Sequence, residues 1–386
     1  MGIIFIGNIV DKEICNTLSS CSPAGNKWQK NFIKNLEEIS NEKIINLSIL
    51  PLRVFPLSKD ISIKKFKNKN REVSKLIPYL NVLFLKKISI FISVIYYLIK
   101  NGKENDKIII YNLYSPVFLA VNIFQQFCKI KLIGIIADII VENDLKYKGL
   151  KKTLYEFEGK VQKRFLQNLD EVIAVNELIL KDFNIKHGTT LEGGVETLKV
   201  EKKDKLNHKT RRIIFAGTLD NLNGIEFLLK SFSKLGNDDI ELHIYGRGPL
   251  ANMVEKESKN NPKIIYKGFV SNEKIKNILL NGDLLIIPRL KSIKTLRYTF
   301  PSKLFEYMLS GTPVLMTKIP GLGKEYEKYI YMKDTEDIQE FSGFMKLILN
   351  FSEEILIEKG KKAQKFITEQ KNWEKQVKRV YNEVIL

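Results

Sequence analysis

The chain is short of the residues that usually build metal and thiol sites. It has three cysteines and three histidines in 386 residues. Cys15, Cys21 and Cys128 are too few and too irregularly spaced for a disulfide framework or a zinc site, and a reducing cytosol suits them. His187, His208 and His243 stand apart, one of them in a polar run and one inside a strand-like segment, so none reads as a dedicated base. No paired-carboxylate metal motif is visible. The longest apolar run, ISIFISVIYYLI at 88–99, falls short of the ~20 residues that cross a bilayer. No Gly-x-Gly-x-x-Gly follows the first apolar segment, where GNIVDKEI stands instead, and this argues against a dehydrogenase. Low-complexity tracts and internal repeats are absent. The start, MGIIFIGNIV, lacks the basic region and cleavage site of a signal peptide and reads as a buried first strand.

What is present fits a globular chain. Hydrophobic residues make up 44%, enough for real cores, and the length suggests two domains. Lys and Arg number 63 against 44 acidic residues, a net charge of +19. Such a surface attracts nucleic acid, an acidic membrane or phosphorylated small molecules. No nucleic-acid reader motif or aromatic-basic platform is present, so a nucleic-acid partner is not expected. A basic run, KKFKNKNREVSK at 64–75, precedes the apolar region 76–99. That region reads either as a buried helix with a solvated Lys86–Lys87 pair or as an interfacial helix drawn to anionic lipid.

The first half alternates. GIIFIG (2–7), KIIIYN (107–112), IKLIGIIAD (130–138) and EVIAVN (171–176) are β-branched runs suited to a parallel sheet covered on both faces. Helical segments are expected over 26–39, 76–100 and 151–169. The polar stretch 199–211 lacks periodicity and reads as an interdomain linker. A second alternation follows, with strands expected at 212–217, 240–246, 263–269, 283–288 and 313–318. The tail 373–386 is an amphipathic helix with Val377, Val380 and Val384 on one stripe. The expected class is α/β, with two doubly wound halves.

One stretch carries an unusual pattern: YTFPSKLFEYMLSGTPVLM, 298–316. A helix starting near Ser302 and stopping at Gly311 buries Leu304, Phe305 and Met308 and leaves Ser302, Lys303 and Glu306 together on its other side. Free N–H groups at the helix start, with a lysine, suit phosphate. A carboxylate one turn in suits the two hydroxyls of a ribose. A surface Lys–Glu pair worth a few tenths of a kcal/mol explains the same residues equally well. Three further segments, FAGTLDNLNGIEFLL, LHIYGRGPL and YKGFVSNEKI, each run from a strand through a glycine turn to a helix.

In this order and spacing, these segments resemble the retaining family-4 glycosyltransferases of the GT-B fold, in the FPSK-EYM-SGTPV form of capsule and exopolysaccharide enzymes. The resemblance implies two Rossmann-like domains facing a cleft. An N-terminal acceptor domain would cover 1–198, and a C-terminal donor domain 212–369. The tail 370–386 would cross back onto the first domain. It further implies transfer of a sugar from a nucleotide-sugar, UDP foremost, to a lipid-linked glycan at the inner face of the cytoplasmic membrane. No cofactor and no metal are implied. Glu306 matches the carboxylate that holds the ribose. The family's first Glu, eight positions earlier, is Tyr298 here, and its diphosphate Arg and Lys are replaced by Thr218 and Asn223. Lys303 is therefore the first candidate for the diphosphate, with Arg297 and Arg289 next. The donor site would take in Tyr298, Thr299, Phe300, Pro301 and Ser302. The base would meet Gly268, Phe269 and Val270, with Gly246 and Arg247 on the same wall. Gly25 resembles the family's glycine loop, and Asp138 falls near the transferred sugar, so Asp138 and Lys303 are the catalytic candidates. The missing charges leave a degenerate partner subunit or an epimerase as alternatives.

Overall fold

The computed structural model describes residues 2–63, 75–140, 149–196, 210–236 and 239–386. The chain divides into two compact units, Met1–Gly193 with Trp373–Leu386, and Gly194–Asn372. Each is built on a parallel sheet, because its β-branched runs are apolar on both faces and need helices on both sides.

In the first unit seven strands lie in the order Lys75–Leu76, Ile45–Ser48, Ile3–Gly7, Lys107–Tyr111, Lys131–Ile136, Glu171–Ala174 and Gly188–Thr190. All the ladders are parallel. The chain begins in the middle, works to one edge, then crosses to the other side, so a switch point lies between Ile3–Gly7 and Lys107–Tyr111. The first strand is wholly buried. The helix Pro23–Ser40 starts where Ser22 accepts the Gly25 N–H at 3.1 Å and Pro23 fills the first position. The tail helix Trp373–Val380 packs on it. Trp373 meets Trp28 edge-on at 5.5 Å, and Trp28 stacks on Phe32 at 5.3 Å. Val377, Val380 and Val384 are buried, as their spacing predicts.

The second unit carries six parallel strands in the order Ile264–Tyr266, Ile240–Tyr245, Arg211–Ala216, Leu284–Ile287, Val314–Thr317 and Tyr331–Lys333. Numbered along the chain this is 3-2-1-4-5-6, the doubly wound order that places ligands at the carboxyl ends of strands 1 and 4. One face is packed by Phe227, Leu228, Phe341 and Met345, the other by Leu304, Tyr307, Met308 and Ile367.

Three expectations change. Residues 76–100 are not one helix: Tyr79–Leu80 pairs antiparallel with Ser62–Ile63, and the helix is Leu85–Asn101. Pro78 bars a helix interior, and the buried Asn81 gives its amide to the Arg53 and Asp60 carbonyls at 2.8 and 2.9 Å. The Lys86–Lys87 pair is not simply solvated. Lys86 Nζ donates to Leu52 O at 2.6 Å and Lys87 is paired with Glu158. Cys15 and Cys21 form a disulfide, because the short helix Lys12–Thr17 ends and the chain turns back toward it; Cys128 is free. The basic run 64–75, apart from Lys75, and most of the linker 199–211 lie outside the described residues.

Candidate functional site

The second unit's switch point is formed by Gly217, after strand Arg211–Ala216, and by Pro288 and Arg289, after strand Leu284–Ile287. The loop after Gly217 is held by its own side chains. Asp220 accepts from the Asn223 N–H at 2.9 Å and from its side-chain amide at 2.8 Å, and that amide also donates to Thr218 O at 3.1 Å. Gly224 has φ +68°, and a Cβ there would lie 1.7 Å from Pro288 O. Only glycine lets the loop press so closely on the strand end. Asn223 Oδ1 accepts from Arg289 Nη2 at 3.2 Å.

The helix Lys303–Ser310 is fixed to the same strand end. The buried Tyr307 hydroxyl accepts the Ala216 N–H at 2.7 Å and donates to Ala216 O at 3.2 Å. Leu304, Phe305 and Met308 are buried beside it, and Gly311 closes the helix with φ +71°. This anchoring sets Lys303 directly over Gly217, where an added Cβ would fall 1.4 Å from Lys303 Nζ. The ammonium lies 5.3 Å from the Phe215 ring centroid. It is buried and has no hydrogen-bond partner. Burial first, and then the Arg289 charge, bring its pKa down to about 8, against the pull of Glu306 and Asp220. Burial also lowers the Arg289 pKa, with Asp220 opposing, and its Nε is unpartnered. Among the described residues neither cation forms an ion pair with a carboxylate. Glu306 is exposed and does not pair with Lys303, so the surface-pair reading fails. Two desolvated positive groups that make no salt bridge, with Asp220 and Glu306 acting only from a distance, are costly, and a bound anion offsets that cost.

The neighbouring turns close around this point. Gly246, at φ +148°, donates its N–H to Gly268 O at 2.8 Å, and a Cβ on it would lie 1.8 Å from Gly217 O. Gly268 has φ +66°. Arg247 O accepts the Leu219 N–H at 3.0 Å, and its guanidinium sits 4.7 Å over the exposed Phe269 ring, with Val270 half-buried beyond. Tyr298 and the exposed Arg297 lie on the 3-10 turn Lys294–Tyr298, the guanidinium 6.0 Å from the Tyr298 ring. Thr299 is half-buried. Phe300 packs against Phe305 at 4.8 Å, and the buried Pro301 accepts the Leu304 N–H at 2.7 Å. Ser302 is exposed and makes no side-chain cap.

Gly25 and Asp138 belong to the first unit. Gly25 sits in the first turn of its helix, where a Cβ would lie 3.2 Å from the Tyr111 hydroxyl. Asp138 follows strand Lys131–Ile136, and its N–H donates to Asn112 Oδ1 at 3.1 Å. Its carboxyl is open to solvent yet closely surrounded, so desolvation raises its pKa against a hydrogen bond from Asn112. A cavity of about 340 Å³ opens at this unit's switch point, lined by Asn8, Ser20, Lys86, Tyr111, Asn112 and Tyr114. Burial, helped by Glu158, pushes the Tyr114 pKa up to about 12. Residue patterns alone did not single out Gly217, Asp220 or Tyr307. The glycine ending a strand was the only local signal among them.

Residues 210–350 match the family described as Glycosyl transferases group 1. Over 276 residues, 66% of this chain and 67% of the relative, the sequence is 26% identical to an uncharacterized glycosyltransferase of Methanocaldococcus jannaschii. Anabaena HepE, solved in complex with UDP, superposes with a TM-score of 0.70 at 11% identity over 99% of both chains. A Staphylococcus aureus TarM variant, solved with Fondaparinux, alpha-GlcNAc-glycerol and UDP, gives a TM-score of 0.56 at 16% identity over 80% of this chain. This chain spans 59% of that TarM chain. At such identities the solved structures establish the fold, which is GT-B.

Proposed function

We propose that this chain, a glycosyltransferase of the GT-B fold, moves a sugar from a nucleoside diphosphate donor, UDP foremost, to a lipid-linked glycan, with retention at the anomeric carbon. The observation that carries the donor half is the pair of desolvated cations that form no salt bridge among the described residues, Lys303 Nζ over Gly217 and Arg289 on Asn223. A diphosphate there meets both charges at a switch point, where strand ends open to ligand. The positions emptied of charge at Thr218 and Asn223 are served by cations from elsewhere in the fold. Glu306, exposed one turn into the helix, accepts the ribose hydroxyls. UDP bound in the HepE and TarM structures supports that choice of nucleotide.

The reaction then needs little from the protein beyond orientation and charge. The bond from the anomeric carbon to the diphosphate oxygen breaks. The acceptor hydroxyl oxygen bonds that carbon on the same face, and its proton passes to the leaving diphosphate. Lys303 and Arg289 stabilise the charge that collects on the leaving group. On the first unit we assign Asp138, at the end of strand Lys131–Ile136, to the acceptor's reacting end. We take the acceptor as a surface-polysaccharide intermediate and the chain as peripheral at the inner membrane face, with no cofactor beyond the donor.

The test is thermal stability with UDP, GDP, dTDP, ADP and CMP, one at a time. A ligand at 100 times its Kd stabilises the native state by ~2.7 kcal/mol, a shift of several degrees. A shift with one nucleotide that disappears in Glu306→Ala supports the donor site and names its base. No shift with any of them overturns it and favours a non-catalytic partner subunit.

A further inference from the structure

The helix Leu85–Asn101 in the first unit is apolar on two opposite sides. Ile90, Val94 and Leu98 are buried. The opposite stripe, Leu85, Ile88, Ile92, Tyr96 and Ile99, follows the same helical spacing, faces solvent, and is apolar throughout. Ile92 is 56% exposed, Tyr96 65% and Ile99 70%. A helix with one wet face normally carries charge there. The helix Ser115–Gln125 packs alongside and adds exposed Leu119 and Ile123, followed by Phe127 at 86% exposure. At the other end the Leu85 N–H bonds Leu83 O at 2.9 Å around Phe84, whose φ is +67°. This is a strained three-residue turn, and it holds a phenyl ring 73% exposed. Patches of this extent mark interaction surfaces.

The charges around the face choose among partners. Residues 75–103 contain Lys75, Lys86, Lys87, Lys100 and Lys103 and no Asp or Glu, and the helix Ser115–Gln125 has no acidic residue either. Lys86 turns in to Leu52 O and Lys87 is paired with Glu158, so a second copy docked face to face would bring the exposed Lys75, Lys100 and Lys103 against one another. An anionic lipid surface takes both features at once, the apolar stripe at the acyl boundary and the ammonium groups among the headgroups. No helix among the described residues is long and apolar enough to cross a membrane, so the fit is to the interface.

We infer that the face formed by Leu83–Leu85, Ile88, Ile92, Tyr96 and Ile99, with Leu119, Ile123 and Phe127, seats on an anionic lipid bilayer. This rests on the peripheral-membrane reading above and deepens it by naming the surface and the lipid charge. Lys86, on the same helix, lines the 340 Å³ cavity. Seating the helix therefore brings that cavity's wall to the bilayer, where a lipid-linked acceptor resides.

The test floats the full chain with phosphatidylcholine vesicles, with and without phosphatidylglycerol. The wild-type protein partitions to the phosphatidylglycerol vesicles, and less so at high salt. The double variant Ile92→Ser with Tyr96→Ser binds them roughly tenfold more weakly for each side chain removed, the factor that burial of one such side chain supplies. Lys100→Glu weakens binding to the anionic vesicles only. All variants keep the wild-type melting temperature and UDP binding, since the altered residues are exposed and lie outside the donor unit. That keeps a failure here distinct from a failure of the donor site. Equal vesicle binding by the double variant overturns the inference, as does wild-type protein that ignores anionic vesicles. A wild-type dimer that the double variant converts to monomer also overturns it, in favour of a second copy.

Discussion

Replacing Lys303 by methionine keeps the side chain's length and removes its charge. In the free protein the Lys303 ammonium is buried without a partner, and its pKa is brought down to about 8. That drop from the ordinary lysine value corresponds to ~3 kcal/mol against the charged form. With local water and imperfect fit of the methionine, Lys303→Met should stabilise the free protein by ~1–2 kcal/mol, or roughly 2–8 °C. The sign depends on pH. The folded pKa lies below the unfolded one, so the penalty is fully present below about pH 8 and fades as pH rises toward the ordinary lysine value. The gain from Lys303→Met is therefore largest near neutrality. UDP binding moves the other way. Loss of a charge-assisted hydrogen bond costs ~1.5–3 kcal/mol, about ten- to a hundredfold in Kd. Melting curves across pH, with calorimetry for UDP, measure both effects. A variant that is less stable without nucleotide and binds UDP normally would refute the reasoning and leave Lys303 a packing residue.

Three other outcomes follow from the same geometry. Gly217→Ala places a Cβ where Lys303 Nζ now lies, and the flexible lysine end moves aside at little cost to the fold. UDP affinity should fall by about tenfold or more, while stability changes by no more than ~0.5 kcal/mol in urea titration. Tyr307→Phe leaves the Ala216 N–H unpaired in a buried place and should destabilise by ~1–3 kcal/mol, read as a lower urea midpoint. Thiol titration of the unfolded, unreduced chain should find one reactive cysteine, Cys128, and three after reduction; three without reductant contradicts the Cys15–Cys21 bond.

Much of the sheet architecture is legible in the sequence, and for a physical reason. Parallel strands buried on both faces lose the alternation of a half-exposed strand and show as unbroken β-branched runs, as Ile3–Gly7 and Leu284–Ile287 do. The site helix is legible from its inward residues and from the Gly311 stop. The helix Glu353–Gln370 escapes notice because few of its residues are buried apolar ones, Leu356, Ala363 and Ile367 among them, spread over a charged surface. Three things stay hidden because they are non-local. Lys303 reaches Gly217 only because Tyr307 bonds across 91 positions to Ala216. Arg289 meets Asn223 across 66 positions, through the neighbouring of strands 1 and 4. The apolar stripe of Leu85–Asn101 gives the same periodic signal as a buried one, and only its exposure in the fold separates the two.

The central claim is that a donor diphosphate sits on Lys303 and Arg289 of the second unit. Solving the structure with UDP bound tests it most directly. The account predicts phosphate oxygens within hydrogen-bond distance of Lys303 Nζ and Arg289, with Glu306 on the ribose hydroxyls. UDP held elsewhere, with Lys303 still without a partner over Gly217, would contradict it.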